Sequence, residues 1–180
     1  LSAGIMVPPP LVGKDDPNSY TFYSGPKRLF EQHHRDLAVL TTTDYKGEDV
    51  GLAMLFYQAM LNVLYTSMTG VIQSYTLLKA ENISARDFEP YMHSFLNFLP
   101  YLIQDANIAG EIDTKHYNGA QQNLKMMLAG AKHVTETIKE ANIDYSVPES
   151  IETLFQTTVD NGFGEKSTTS ILETLYRGRA

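Results

Sequence analysis

Apolar positions along the chain change rhythm near residue 48. Before it, apolar runs are short and cut by Pro and Gly, in the manner of strands and turns. Ala3 to Val7 is a strand candidate. Pro8-Pro9-Pro10 removes three backbone donors and fixes three φ angles, so the strand ends there, and Gly13 to Asn18 continues as a loop. Tyr20 to Tyr23 is a second strand. Ser24-Gly25-Pro26 then opens a helix from about Lys27 to Leu40, with Leu29, Phe30, Leu37 and Leu40 on its buried side. Two strands are too few for a sheet that is stable alone, so residues 1–47 are expected to be the tail of a larger α/β domain.

From Asp49 the period is helical to the end of the chain, and the predicted fold class is mainly α. Val50 to about Leu78 predicts one helix of roughly 40 Å, longer than a small domain is wide. Between Gly51 and Tyr65 almost every position is apolar, the exceptions being Tyr57, Gln58, Asn62 and Tyr65. Such a helix is surrounded rather than amphipathic, and neighbouring helices, including those of a second subunit, would cover it. The polar positions recur too often for a membrane span. Gln58 and Asn62 stand one turn apart, either as a structural amide network or facing a cavity.

Further on, Ser84 with Asp87 predicts a capped helix containing Phe88, Met92, Phe95, Leu96, Leu99 and Leu102, which Pro100 should kink or end. Leu124, Met127, Leu128, Ala131, Val134 and Ile138 keep helical spacing within a helix from about Ala120 to Ala141. Ser146 and Glu149 form a second capping signature, with Pro148 tolerated in the first turn, and that helix ends at Asn161-Gly162. A last helix runs from about Ser167 to Tyr176.

Charge and inventory narrow the function. Of 180 residues, 14 are Lys or Arg and 21 are Asp or Glu, giving a net charge of -7. That balance opposes nucleic acid and anionic membrane surfaces as partners. Cysteine is absent, which removes disulfides, thiolate metal sites and a cysteine nucleophile. Of the five histidines, His33 and His34 are adjacent and His93, His116 and His133 are scattered, so no metal site is expected. The chain begins at Leu1, without a signal peptide, which suggests a fragment or processed product of cytoplasmic origin. No Gly-x-Gly-x-x-Gly, Walker loop or nucleophile elbow occurs.

The segments Gly4-Ile5-Met6-Val7-Pro8-Pro9-Pro10-Leu11-Val12-Gly13 and Tyr23-Ser24-Gly25 resemble the closing strands of the Rossmann domain in imine reductases. Gly51-Leu52-Ala53-Met54-Leu55-Phe56-Tyr57 resembles the interdomain helix of that family, in which Asp or Tyr occupies the last position. Asn123 to Gly130 and Gly162-Phe163-Gly164 extend the resemblance over essentially the whole chain, although Phe163 stands where relatives often carry His.

The resemblance implies the C-terminal portion of an imine reductase or reductive aminase. Residues 1–47 would be the remnant of an NADPH-binding Rossmann domain, and 48–180 a helical dimerisation domain carrying the substrate pocket. NADPH would be the cofactor, with its main binding site missing from these residues, so that the chain alone would be inactive. The partners implied are a second copy, in a homodimer with interlocked helices, and a small hydrophobic imine or amine.

Tyr57 would be the catalytic residue: an ordinary phenol, with a pKa of about 10, is protonated at neutral pH and can donate to nitrogen. A structural tyrosine bonded to a buried partner is the alternative. Tyr65, about 80° further round the helix, matches a pocket aromatic of the family, as Phe95, Met126 and Met127 match its pocket-lining positions. Core packing is the other fate of each. The wider superfamily of 3-hydroxyacid dehydrogenases uses a lysine on the long helix, and none occurs between Lys46 and Lys79. A dehydrogenase of that kind, or a non-catalytic assembly module, is the competing function.

Overall fold

A computed structural model of the chain describes residues 1–176. They form two compact units, one up to Gly70 and the other from Val71.

The first unit holds a three-stranded sheet, β1 (Ser2–Met6), β2 (Tyr20–Ser24) and β3 (Thr42–Tyr45), in the order β1-β2-β3. β1 runs antiparallel to β2, with Gly4 opposite Phe22, and β3 runs parallel to β2, with Phe22 opposite Asp44. β3 leaves no strand signal in the sequence, because Thr42-Thr43-Asp44-Tyr45 has no apolar alternation. Its partner β2, reached through the crossover helix α1 (Lys27–Leu37), makes it a strand. α1 stops three residues before the expected Leu40, where Ala38 N–H bonds back to the His34 carbonyl.

Successive β2 side chains face opposite sides of the sheet. Tyr23 meets Phe30 of α1, which in turn stacks on Tyr45, with ring centroids 5.8 and 4.9 Å apart. Phe22 meets Phe56 of α2 (Leu52–Ala80) at 5.4 Å. The sheet is thus sandwiched between α1 and the first turns of the long helix. Ser24 fastens that helix: its Oγ donates to the Val50 carbonyl at 3.0 Å and accepts from Ala53 N–H at 2.9 Å. Both Ser24 and Ala53 are fully buried.

The second unit contains the rest of α2, then α3 (Ala85–Asp105), α4 (Ile108–Thr114), α5 (Leu124–Glu140), α6 (Ser146–Thr158) and α7 (Leu172–Leu175). Leu124, Leu128 and Phe155 form its core, against which Met127, Ala131, Leu154, Val159 and Ile171 pack. α5 and α6 are antiparallel, since Lys139 pairs with Glu149 while Lys132 reaches Gln156. Tyr75 of α2 meets Phe88 of α3 edge to face, and Gln73 donates to the Asp144 carbonyl.

Several boundaries differ from expectation. Ser84 caps α3 as predicted, accepting from Asp87 N–H, but the helix runs through Pro90 and does not end at Pro100. α4 was unforeseen, its seven residues being too few for a period. α5 starts at Leu124 rather than Ala120, because the Asn123 side chain accepts Met126 N–H at 3.0 Å and sets the cap there. At α6 the cap is not the Ser146 side chain. The Asp144 carboxylate takes both the backbone N–H and the hydroxyl of Ser146. α6 passes into a wide turn, Val159–Phe163, in which Gly162 adopts φ +91° and halts the helix where expected. The final segment is a tight turn, Thr168–Ile171, leading into α7.

Candidate active site

Tyr57 lies in the second turn of α2, above the sheet. Its approach depends on Gly4: a Cβ there would fall 2.7 Å from the Ala53 carbonyl oxygen and 2.7 Å from Tyr57 Cβ. The missing side chain is what lets the helix backbone seat on β1. Tyr57 is half-buried, and among the described residues its hydroxyl makes no hydrogen bond. Among the described residues no buried partner takes that hydroxyl.

Tyr65 lies about 12 Å further along α2, at 1.5 Å per residue, and is exposed. Gln58 and Asn62 are exposed as well, and among the described residues they form no amide network. Above the Tyr57 segment, the Lys46 ammonium sits 4.6 Å from the Phe56 ring centre and 5.0 Å from that of Phe22, and pairs with Asp44 at 2.6 Å. Lys46 lies on the loop between β3 and α2, so the lysine-free stretch of the helix stands.

The other expected site residues belong to the second unit. Phe95 is exposed on α3. Met126 and Met127 share the first turn of α5. Met126 points outward and is exposed, while Met127 is half-buried against the core cluster and accepts from Gln122 Nε2 at Sδ. Met127 thus serves the core as well as any surface it lines. An open cleft of about 470 Å³ between Lys14, His34 and Thr42 is lined by none of the five.

One cluster escaped the sequence reading. Glu111 of α4, buried, accepts Asn118 N–H at 2.6 Å on one carboxylate oxygen and the Ser167 hydroxyl on the other. Burial alone would raise its carboxyl; Ser167, Asn118, Thr169 and the nearby His116 outweigh that and hold it below the usual carboxylate range. Beside it the buried Tyr117 donates to Glu173 at 2.6 Å. Burial, then that hydrogen bond and the two carboxylates, push the Tyr117 phenol up to about 12. A signal existed in the acid of Ile108-Ala109-Gly110-Glu111-Ile112, set among apolar neighbours, but its partners lie up to 56 residues away.

Among the described residues no His, Asp and Glu side chains are grouped to hold a metal ion, and no helix is long and apolar enough to cross a membrane. A family model, the C-terminal domain of NADPH-dependent reductive aminase-like proteins, matches residues 49–177. The chain belongs to that family. The match to the reductive aminase-like domain begins just ahead of α2 and takes in every helix from there on.

An NADPH-dependent reductive aminase of Aspergillus oryzae is 26% identical over 183 residues, covering 99% of this chain and 61% of that protein. Among solved structures, an imine reductase from Bacillus cereus BAG3X2 matches with a TM-score of 0.89 at 35% identity, over 98% of this chain and 60% of that one. A reductive aminase from Aspergillus terreus, in complex with NADPH and ethyl levulinate, gives 0.88 at 25% identity, over 96% and 59%. The chain therefore spans about three fifths of the length of these relatives. Unlike the family model, the structural matches include the sheet and α1. The resemblance to imine reductases and the mainly helical fold both hold.

Proposed function

We propose that the chain is the helical, substrate-handling part of an NADPH-dependent imine reductase or reductive aminase, and that Tyr57 gives the proton, or the orienting hydrogen bond, at the substrate nitrogen. The observation that carries this reading is Tyr57 itself. Its stem is held by Gly4, its hydroxyl has no partner among the described residues, and it occupies the Asp-or-Tyr position of the family pattern. A buried structural phenol sends its hydroxyl to the protein; this one is available to a ligand.

Reduction of a C=N bond to an amine adds a hydride to carbon and a proton to nitrogen, and the hydride is what NADPH supplies. Among the described residues, the turn from β2 into α1 does not fit its pyrophosphate. The one turn leading from a strand into α1 has Pro26, without an N–H, and Gly25, whose N–H is taken by the Gly47 carbonyl at 2.9 Å. These 180 residues by themselves should not turn over substrate. What they offer is the acid and an apolar wall.

Within this reading 1–47 is the remnant of the cofactor domain and 48–180 the dimerisation and pocket domain. Tyr65, Phe95, Met126 and the outer face of Met127 hold a small hydrophobic imine or amine. A second copy, its helices interlocked with these, covers the bare surfaces of α2 and α3 and completes the site. The test is reduction of a small cyclic imine with NADPH by the whole enzyme and by its Tyr57→Phe variant. A loss in kcat on the order of a hundredfold is expected, and unchanged turnover removes Tyr57 from the mechanism.

A further inference from the structure

The Glu111 cluster lies away from Tyr57 in the chain, and nothing in the proposed chemistry uses it. Its connections nevertheless end at the first turn of α5, which bears Met126 and Met127. Glu111 holds two separate segments at once: the loop after α4, through Asn118 N–H, and the turn before α7, through the Ser167 hydroxyl. Ser167 is also bridged to Asn123 in a two-residue antiparallel pairing. Around that pairing, Leu124 N–H donates to the Lys166 carbonyl at 2.8 Å and Lys125 N–H to the Gly164 carbonyl at 3.0 Å. Asn123 in turn caps α5 through Met126 N–H.

A second tie runs parallel to the first. Tyr117 donates to Glu173, and the Lys115 ammonium stands 3.8 Å from the same carboxylate oxygen. The segments have little room to slide, since a Cβ on Gly119 would fall 2.1 Å from the Glu165 carbonyl oxygen. The charged and titratable groups facing Glu111 are His116 and Tyr117 from the loop, with Glu173 beyond Tyr117. A carboxylate inside a chain of hydrogen bonds fixes the backbone it touches far better than an apolar contact would.

We propose that Glu111 is a positioning residue for substrate specificity: through Ser167 and Asn123 it sets where the first turn of α5 presents Met126 and Met127 to the imine. The substrate part rests on the reading given above; the geometric part does not. Losing the clamp displaces the apolar wall, not the acid, so it alters substrate fit more than the chemical step.

The test uses three variants of the whole protein, Glu111→Ala, Glu111→Gln and Ser167→Ala, and two readouts. Methionine-methyl NMR reads the geometry. Glu111→Ala should shift the Met126 and Met127 methyl resonances while leaving those of Met6 and Met54 in place. Glu111→Gln, whose amide can still accept from Asn118 N–H and donate to Ser167 Oγ, should restore them.

Steady-state kinetics read the consequence, as a several-fold rise in KM for the imine with kcat nearly kept, again restored by Gln. Unmoved Met126 and Met127 methyls in a folded Glu111→Ala protein, or an unchanged KM, overturn the proposal. Should Glu111→Ala fail to fold, Ser167→Ala, which removes a single tie, is judged by the same criteria. A wild-type protein without imine reduction sinks the functional reading alone, and the methyl shifts then still decide the clamp.

Discussion

A methyl group at position 4 has nowhere to go, because one of the atoms it meets is a helix carbonyl oxygen and the other the Cβ of Tyr57. Gly4→Ala should therefore lift the first turns of α2 off the sheet, at about 1–3 kcal/mol for an overpacked contact. Thermal unfolding would show a lower midpoint, and on the role proposed for Tyr57 imine turnover by the whole enzyme would fall, Tyr57 being the first side chain displaced. Tyr117 gives a second prediction at this scale. Its pKa rises on folding, so the stability it contributes is complete below the phenol's ordinary value of about 10. That stability drains away as pH climbs toward about 12. Denaturant midpoints measured across this window should drop, and Tyr117→Phe should flatten the drop. At neutral pH the same variant should cost about 1 kcal/mol, the net worth of one hydrogen bond.

The elements divide by how local their causes are. The long helix, the Ser84 cap of α3 and the halt at Gly162 were legible, since each is written in adjacent residues. β3 was not, for its four residues become a strand only through β2, 22 positions earlier in the chain, and Asp144 took the cap expected of Ser146. The candidate site follows the same line. Tyr57 could be proposed from sequence because resemblance places it within one contiguous heptapeptide, whereas Glu111 and Tyr117 draw on partners spread from Asn118 to Glu173. Asn123 stands between the two cases, a local cap that a far segment holds in place. Asn123→Ala should cost about 0.5–2 kcal/mol, as loss of an N-cap does. Amide exchange should localise the fraying to the turn that bears Met126 and Met127.

For the molecule as a whole the dominant fact is uncovered apolar surface. Leu55, Tyr65 and Ile72 on α2, with Tyr91, Phe95 and Tyr101 on α3, are more than half exposed. Bare apolar helix faces of this kind mark interaction surfaces. Sedimentation velocity should find a dimer whose population rises with concentration, and Val63→Glu, a charge set on the bare side of α2, should shift it toward monomer. The same surface has a colloidal consequence. At neutral pH a net charge of -7 keeps molecules apart, but at the isoelectric point near 5.1 that repulsion vanishes while the greasy helices remain. Turbidity should climb around pH 5 and clear on either side of it. Mild acidification is then a handle for harvesting this protein, and a hazard in any assay buffered at that pH.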